Sequence, residues 1–514
     1  MTKSKSVIVV GGGHNGLVCA TYLARAGYSV DLIEARDTVG GAASSYFFAE
    51  GYRTPGLAHV IYGLNQKICR DLNIDLSTMI ADVDTIALDL DGDHITLQRD
   101  QVLGAHLSSQ DHSAFKAFKG EFRAYAKALE PLMMNTPPRL KDMDRGDKFT
   151  LAKLGWSLRF GLGAESMREF LRVGGINIYD VLNELFDSPA LKGALSADAV
   201  LGQHMGPRTP NTVLTFLHRL WGEHQNQLSL SATSLIADKL EEVARNVGVR
   251  IKTRAPVKRI LVENERTCGV ELASGERLSG DIVVSNADAK TTFLDLVGAE
   301  HLDAMFCHRV NSVRQNGSVA KLHFALSERP NFKGITDSQK GARLLIAPDM
   351  RYVEHAFNHA KYGEFSEHPV LEMTIPSLVD SSLAPTGHHV LSVNASFAPY
   401  KLKAGWTASR EAFVERVVET ISNYANNFSD SIVATELLTP EDIEQRFSIK
   451  GGHWHQGEMG IDQLFMMRPV HGAAQYETPL NGLFLCGASA HPGGGITGVP
   501  GHNAAQRIIR GVVK

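Results

Sequence analysis

The pattern of apolar residues near the N-terminus predicts a buried strand, an amphipathic helix and a second strand. Residues 6–10 (SVIVV) form an unbroken apolar run, which is typical of a strand in a parallel sheet covered on both faces. Ala20 and Leu23 then recur at helical spacing, Gly27 ends the helix, and residues 29–33 form another run rich in apolar residues. The order predicts one β-α-β unit.

Further patterned segments lie in the middle and in the last part of the chain. We expect antiparallel strands at 255–262 and 268–272, a buried strand within 482–488 and a closing helix at 496–513. Between them lie two long insertions. Residues 81–224 are predicted to be mainly helical, with periodic stretches at 114–132 and 167–185, and residues 301–444 to contain strands at 319–324 and 390–394 and a helix at 411–428.

Composition narrows the class of protein. The chain has 514 residues, of which 43% are hydrophobic and 21% charged, as in globular proteins of about two to four domains. A net charge of −4 gives no basic field, so we expect no nucleic-acid partner. No apolar run is long enough for a membrane span, and residues 1–6 lack a signal-peptide pattern.

The cysteines indicate a reducing compartment. The five cysteines show no C-x-x-C spacing, which argues against a dithiol redox pair, a zinc knuckle and a disulfide framework. We therefore expect a cytoplasmic protein. His453 and His455 are two residues apart, but no carboxylate or cysteine spacing supports a metal site, and none is expected.

A glycine-rich fingerprint follows the first strand. Gly11, Gly13 and Gly16 satisfy G-x-G-x-x-G, in which the glycines permit a tight turn, close approach to a pyrophosphate and close packing of helix and strand. The amides at the start of the helix would face the phosphates. Glu34 closes the second strand, where a carboxylate accepts hydrogen bonds from ribose hydroxyls. The fingerprint predicts a dinucleotide site without separating NAD from FAD.

A second glycine pair, Gly40-Gly41, resembles the doublet of FAD-dependent amine oxidases and phytoene desaturases. Together with other motifs it places the chain beside the phytoene desaturase-like FAD oxidoreductases, nearest to the group of pyridine nucleotide-disulfide oxidoreductase domain-containing protein 2. The segments that carry the resemblance are 11–17 (GGGHNGL), 284–288 (VSNAD), 457–469 (GEMGIDQLFMMRP) and 484–495 (FLCGASAHPGGG).

The resemblance implies a Rossmann-like α/β FAD-binding domain of the amine-oxidase type with a discontinuous α+β substrate domain. The FAD-binding domain would comprise residues 1–80, 225–300 and 445–514, and the substrate domain residues 81–224 and 301–444. It also implies one non-covalent FAD. The expected FAD-binding residues are Gly11, Gly13, His14, Asn15, Gly16, Glu34, Ala35, Arg36, Gly40, Gly41, Ala42, Val257, Asn286, Gly487, Ala488, Gly494, Gly495 and Ile496.

For two of these positions the resemblance also implies which part of FAD is contacted. The backbone near Val257 would contact adenine, and the Gly487 segment would approach the ribityl chain and the flavin. Many related folds carry an acid after the glycine equivalent to Gly487, whereas this chain has Ala488, so ribityl contacts would come from backbone amides or Ser489. We expect the helix N-terminus after the last glycine loop to face the flavin pyrimidine edge.

Three residues are candidates for catalysis. His491 lies in the C-terminal glycine loop, His455 lies in a glycine-flanked segment, and Arg468 belongs to the 457–469 motif. We expect all three to face the flavin from the substrate side. Because a flavin accepts a hydride without a strong protein base, positioning roles are the alternative for these side chains.

Three functions agree with these motifs. The first is desaturation of a largely apolar small molecule by hydride transfer to FAD, or isomerisation of its double bonds by reduced flavin. The second is an amine or alcohol oxidase on the same fold. The third is an interaction protein that FAD stabilises without turnover.

Residues 151–172 combine aromatic, aliphatic and basic side chains, including Trp156, Phe160 and Phe170. Such a segment either packs on the protein's own core or lies on a membrane surface as a peripheral contact. Glycines at 155, 161 and 163 disfavour a long helix, and packing on the core is the favoured interpretation.

Overall fold

The structure is a computed structural model that describes residues 5–61, 64–75, 80–139, 141–222, 227–229, 234–336 and 339–511. The strands in this part of the chain are β1 (Ser6–Val10), β2 (Ser29–Ile33), β3 (Tyr46–Ala49), β4 (Tyr52–Thr54), β5 (Ile80–Asp82), β6 (Thr85–Ala87), β7 (Ile95–Leu97), β8 (Val102–Leu103), β9 (Gln227–Ser229), β10 (Arg250–Lys252), β11 (Val257–Glu263), β12 (Arg266–Leu272), β13 (Arg277–Ser279), β14 (Ile282–Ser285), β15 (Val319–Leu326), β16 (Arg343–Ile346), β17 (Val370–Thr374), β18 (His389–Ser396), β19 (Ile432–Leu438) and β20 (Leu483–Leu485).

The α-helices are α1 (His14–Arg25), α2 (Gln66–Leu72), α3 (Ser109–Ala128), α4 (Glu130–Met133), α5 (Arg145–Trp156), α6 (Gly163–Val173), α7 (Ile178–Leu185), α8 (Pro189–Val200), α9 (Thr212–Gly222), α10 (Ser234–Asn246), α11 (Ala304–Asn311), α12 (Met350–Lys361), α13 (Trp406–Ser422), α14 (Phe428–Ser431), α15 (Pro440–Phe447) and α16 (Val499–Ile509). Two π-helical segments, Ser157–Gly161 and Thr291–Val297, accompany them.

A five-stranded sheet of order β10-β2-β1-β14-β20 forms the first layer, and all its pairs are parallel. Strand β1 has β2 on one side and β14 on the other, so the connections leave it in opposite directions. Ligands of such sheets bind at the carboxyl ends of the strands beside this reversal. The α/β class with a Rossmann-like sheet is confirmed.

An eight-stranded sheet of order β19-β15-β18-β17-β16-β6-β7-β8 forms the second unit. Its strands come from residues 85–103 and 319–438. Side chains of successive residues point to opposite faces of a strand, so each strand contributes to both faces. Leu322, Phe324 and Leu391 pack in the core on one face, toward Phe413 of α13.

The other face of the eight-stranded sheet carries a row of polar side chains. Lys321 of β15 pairs with Asn394 of β18, and Asn394 pairs in turn with Glu372 of β17. All three side chains are buried. A polar row in a buried face requires partners, and these partners define one wall of the site described below.

The predicted elements at both ends of the chain are close to those observed. Strands β1 and β2 have the predicted bounds, and β11, β12 and β20 lie within or beside their predicted runs. The closing helix is shorter than predicted, because it begins at Val499 and ends at Ile509. Residues 81–224 contain the strands β6–β8 as well as the expected helices. The domain boundaries remain a prediction.

The segment 151–172 departs from the expected packing. It forms the end of α5, the π-helical turn and most of α6, so no single α-helix spans it, as its glycines predict. Phe170 is buried in the core, but Trp156 is 68% exposed and Phe160 is 62% exposed. The prediction that this segment packs on the core is therefore wrong for Trp156 and Phe160. No helix among the described residues is long and apolar enough to cross a membrane.

Candidate functional site

Asn286 is the point at which three strand ends of the parallel sheet meet. The backbone amide of Asn286 donates to the Val10 carbonyl at the end of β1. A Cβ on Gly13 would lie 2.8 Å from the Asn286 side-chain nitrogen, and one on Gly487 would lie 2.5 Å from its carbonyl oxygen. A Cβ on Gly16 would lie 2.2 Å from the carbonyl oxygen of Gly11. The fingerprint glycines therefore permit a close approach that no other residue allows.

The glycine doublet lies directly on the fingerprint loop. The Gly40 amide donates to the Gly12 carbonyl at 2.8 Å, and a Cβ on Gly41 would lie 3.2 Å from the Gly13 Cα. Arg36 holds the doublet from behind, because its guanidinium donates to the Gly41 carbonyl at 3.1 Å. Two glycine segments that are distant in sequence thus form one backbone surface.

Glu34 is buried at the end of β2 and faces the first glycine turn. Its carboxylate accepts from the Gly12 amide at 2.6 Å and from the Arg36 amide at 2.9 Å. A carboxylate has about four lone-pair sites, so two further hydrogen bonds remain for ribose hydroxyls. Ala35 is exposed beside it, and Val257 begins β11 two residues after Ala255, whose amide donates to the Glu34 carbonyl.

A cavity of about 160 Å³ opens where the N-terminal and C-terminal glycine loops meet. The His14 ring nitrogen lies 3.1 Å from the Gly495 carbonyl oxygen and joins the two loops. Burial lowers the pKa of His14 to about 4, so its ring is neutral near pH 7. The lining residues are His14, Ala42, Leu57, Ala58, His59, Val60, Asp198, Ala199, Leu201, Gln203, Thr215, His218, Arg219, Glu372, Asn394, Trp454, His455, Met459, Ala488, Gly494, Gly495, Ile496 and Thr497.

One wall of this cavity is the polar row of the eight-stranded sheet. His59 lies between its members: its ring accepts from the Lys321 ammonium nitrogen at 2.8 Å and lies 3.3 Å from the Glu372 carboxylate. Arg343 donates to Glu372 at 2.5 Å and to Asp198 at 2.7 Å. Burial and the neighbouring Lys321 lower the pKa of His59 to about 4, and burial lowers the pKa of Lys321 strongly.

Of the three catalytic candidates, only His455 lines the cavity. It packs on the glycine loop, because a Cβ on Gly494 would lie 2.3 Å from the His455 Nδ1 atom. Any side chain at Gly494 would therefore displace His455 first. His491 is fully buried behind the cavity, with its Nε2 atom 3.0 Å from the Leu132 carbonyl oxygen and its own carbonyl accepting from the Tyr476 hydroxyl at 2.7 Å.

Arg468 is also buried behind the cavity wall, where it binds several loops together. Its guanidinium donates six hydrogen bonds, all to backbone carbonyls, at 2.5–3.3 Å. The acceptors belong to His455, Gly457, Glu458, Gln463 and Ala488. Arg468 therefore positions the segment that carries His455, and a role in turnover stays a prediction for Arg468 and His491.

The residues of this cradle fit a flavin dinucleotide. The fingerprint loop that begins at Gly11 and the doublet that ends at Gly41 together form a backbone surface without side chains. The cavity adjoins this surface. Three buried side-chain atoms in the cavity wall or next to the glycine segments have no partner within the described residues: Asn15 Oδ1, Ser489 Oγ and His455 Nδ1. A polar ligand would satisfy groups that otherwise cost about 1–3 kcal/mol each.

Several residues that line the cavity or contact its lining residues were not predicted from the sequence. Lys321, Glu372 and Asn394 sit in strands whose alternation was visible, but only the pairing of β15, β17 and β18 shows that they form one row. His218 lies in a helix, and Gln456, which accepts from the Ser489 amide at 3.1 Å, lies in a loop. No local motif marks either residue.

The parallel sheet, the glycine cradle and the adjoining cavity define a Rossmann-type dinucleotide-binding oxidoreductase. Comparison with known proteins identifies its family. The chain belongs to the flavin-containing amine oxidoreductase family, whose model matches residues 16–509. It is accordingly an FAD-dependent oxidoreductase, and FAD is its cofactor.

Relatives and a solved structure match the chain over nearly its whole length. It is 31% identical to mouse pyridine nucleotide-disulfide oxidoreductase domain-containing protein 2, over 98% of this chain and 93% of that protein. It is 25% identical to one of the subunits of limonene dehydrogenase from Castellaniella defragrans, over 99% and 95%. The structure of putrescine oxidase with bound putrescine superposes with a TM-score of 0.61 at 14% identity, over 99% and 98%. The expected resemblance is confirmed.

Replacing Glu34 with Ala should weaken FAD binding roughly 10- to 150-fold, since a hydrogen bond to a charged group contributes about 1.5–3 kcal/mol. Glu34→Gln keeps an acceptor for one of the two backbone amides and should lose less. Titration of the apoprotein with FAD, followed by flavin fluorescence, measures the affinity. Asp31→Ala is the control, because Asp31 is an acid of the same strand that pairs with Arg250. Equal FAD affinities for the wild type and Glu34→Ala would contradict the prediction that Glu34 binds the ribose of FAD.

His491 should make the folded protein less stable in acid. Burial lowers the pKa of His491 to about 3, so the unfolded chain, with a pKa near 6.5, binds the proton more readily. The contribution of neutral His491 to the free energy of unfolding is complete above pH 6.5 and declines as the pH falls, by ~2 kcal/mol between pH 7 and pH 5. His491→Gln can still donate to the Leu132 carbonyl, and its thermal midpoint should fall less over that range. If the thermal midpoints of the wild type and His491→Gln fell equally over that range, His491 would not be a source of the acid sensitivity.

Proposed function

We propose that this enzyme dehydrogenates a compact, largely apolar molecule with FAD, or isomerises its double bonds with reduced flavin. The observation that carries the proposal is the lining of the cavity. Residues of the two glycine loops and the apolar side chains of Leu57, Val60, Leu201 and Ile496 line the same space. A molecule in this space would lie against the cradle with apolar side chains around it.

Dehydrogenation requires a hydride acceptor and a destination for one proton. When bound, FAD supplies two-electron oxidation by accepting the hydride. The substrate loses the proton from the neighbouring carbon, and a carbon–carbon double bond forms. His455 is the proposed acceptor of this proton, because it lines the cavity beside the glycine loop. Burial lowers the pKa of His455, which leaves its ring neutral before the reaction. For His491 and Arg468 we propose positioning roles.

The charges in the cavity wall favour an uncharged substrate over a protonated amine. Asp198 accepts from both Arg343 and Arg219, and Glu372 accepts from Arg343. Because these carboxylates already have cationic partners, an ammonium group would enter without a carboxylate reserved for it. The names of two relatives, limonene dehydrogenase and phytoene desaturase, agree with an apolar substrate. Putrescine oxidase, similar only in fold, represents the alternative of an amine oxidase.

The experiment is anaerobic reduction of the bound flavin by fractions of a cell extract. We expect the neutral-lipid fraction to bleach the flavin absorbance and the water-soluble amine fraction to leave it unchanged. Bleaching by the amine fraction, with peroxide released in air, would establish the amine oxidase instead. Bleaching by neither fraction would contradict both. We also propose non-covalent attachment, in which case acid should release intact FAD.

His455→Ala should retain FAD and lower the rate of flavin reduction by the active fraction. A loss of about 10²–10⁴ in the rate marks an acid–base role, whereas a change in the apparent KM alone marks substrate binding. His204→Ala is the matched control, because His204 is not among the cavity-lining residues. Normal kinetics in His455→Ala, with reduced thermal stability, would show that the residue only supports the loop.

We further propose a cytoplasmic enzyme that takes its substrate from the surface of an anionic membrane. The Trp156 and Phe160 rings lie with centroids 4.4 Å apart in the segment 151–172, at the end of α5 and in the π-helical turn. The exposed basic residues Lys153, Arg159 and Arg168 lie in the same segment. Aromatic side chains beside cations suit the interface of a membrane with anionic lipids.

The double variant Trp156→Ser, Phe160→Ser should bind less to vesicles that contain phosphatidylglycerol, as measured by co-sedimentation. Vesicles of phosphatidylcholine alone should bind the wild type more weakly, since the electrostatic attraction is absent. Phe47→Ser is the control, because Phe47 is equally exposed but lies in β3, outside the segment 151–172. If the double variant sedimented with the vesicles as much as the wild type, the segment 151–172 would not be the membrane contact.

A further inference from the structure

Arg468 is a buried cation without a nearby anion. Its side chain is 1% exposed, and its six hydrogen bonds all end on carbonyl oxygens. Within the described ranges, no carboxylate lies within 4.0 Å of its guanidinium. The carboxylate of Glu458, whose carbonyl Arg468 contacts, pairs with Arg314 at 2.9 Å. Carbonyl dipoles solvate this charge but do not neutralise it.

The burial of a charge of this kind is costly for the stability of the fold. Removal of an ion from water costs several kcal/mol even after relaxation, and an ion pair recovers part of that cost. Burial lowers the pKa of Arg468 to about 9, which leaves the guanidinium charged at neutral pH. The structure thus maintains a positive charge at this place rather than a neutral group of similar size.

The charge lies directly behind the part of the cavity wall that Ala488 and the C-terminal glycine loop form. Two nitrogens of Arg468 donate to the carbonyl of Ala488, a cavity-lining residue, at 3.2 and 2.9 Å. A Cβ on Gly493, in the glycine loop, would lie 3.4 Å from its Nε atom. The field of Arg468 also reaches two histidines near the cavity: after burial, it is the next cause that lowers the pKa of His218 and His453.

We propose that Arg468 is the fixed positive charge that offsets the negative charge gained by the flavin on reduction. A hydride brings two electrons and one proton, so the site becomes more negative by one charge. A cation already held by five carbonyls needs no reorganisation when that charge arrives, and its effect is large in a low-dielectric interior. Arg468 therefore favours the reduced over the oxidised cofactor and raises the reduction potential.

Two other roles make different predictions. If Arg468 served the FAD pyrophosphate, its charge would contribute equally to binding of oxidised and reduced FAD. If it were only a loop support, the hydrogen bonds would matter and the charge would not. The reduction potential and the affinity for sulfite, which adds to oxidised flavin and leaves a negative charge on it, separate these roles without a substrate. The test is therefore independent of the proposed function.

The first experiment neutralises the charge and leaves Arg468 in place. Met459 lies against the same glycine loop, since a Cβ on Gly493 would be 2.9 Å from its sulfur atom. Met459→Glu adds a carboxylate near Arg468, and Met459→Gln is its uncharged match. We expect the preference for reduced over oxidised FAD to fall at least tenfold in Met459→Glu relative to Met459→Gln, which is a potential lower by about 30 mV. Sulfite affinity should fall at least tenfold as well.

The second experiment changes the arginine itself. Arg468→Lys keeps the charge and should keep the potential while the thermal midpoint falls, whereas Arg468→Met should lose both if it retains FAD. Equal potentials and sulfite affinities in the two Met459 variants would overturn the proposal. A loss of FAD affinity in Met459→Glu at unchanged potential would also overturn it and assign the charge to the pyrophosphate.

Discussion

The close approach of three strand ends at Asn286 is the constraint on which the rest of the site depends. Gly11, Gly13 and Gly16 surround its side chain, and Gly487 packs on its carbonyl. A single Cβ at most of these positions would force apart β1, β14 and β20 or the helix that begins beside them. The packing of the sheet thus requires residues without side chains at these positions, and the backbone surface that faces the ligand results from this requirement.

A second constraint joins the cradle to the eight-stranded sheet. His59 follows the β3–β4 hairpin, yet its ring contacts Lys321 and Glu372 on two strands of the other sheet. Breaking such a buried polar network leaves uncompensated groups, which is more costly than losing an apolar contact of the same size. The network therefore holds the segment that carries His59 against the eight-stranded sheet, and both contribute to the wall of the cavity.

Local sequence patterns predicted the parts of the fold that local interactions determine. The β-α-β unit and the glycine doublet were visible because each needs particular residues at fixed spacing. The polar row at Lys321 and Asn394 depends on the register of distant strands, and the carbonyl acceptors of Arg468 come from loops without periodicity. Trp156 and Phe160 show the same limit, because apolar composition does not determine which side of a helical segment faces the core.

The order of strands in the parallel sheet has a consequence for synthesis on the ribosome. Strand β14 pairs with β1, but its other neighbour, β20, follows only after residues 286–482, which include most of the eight-stranded sheet. During translation the apolar β14 would have one unpaired edge while that long segment emerges, and unpaired edges promote aggregation. Nascent chains should therefore depend on chaperones until β20 arrives, and the cofactor can be enclosed only after that step.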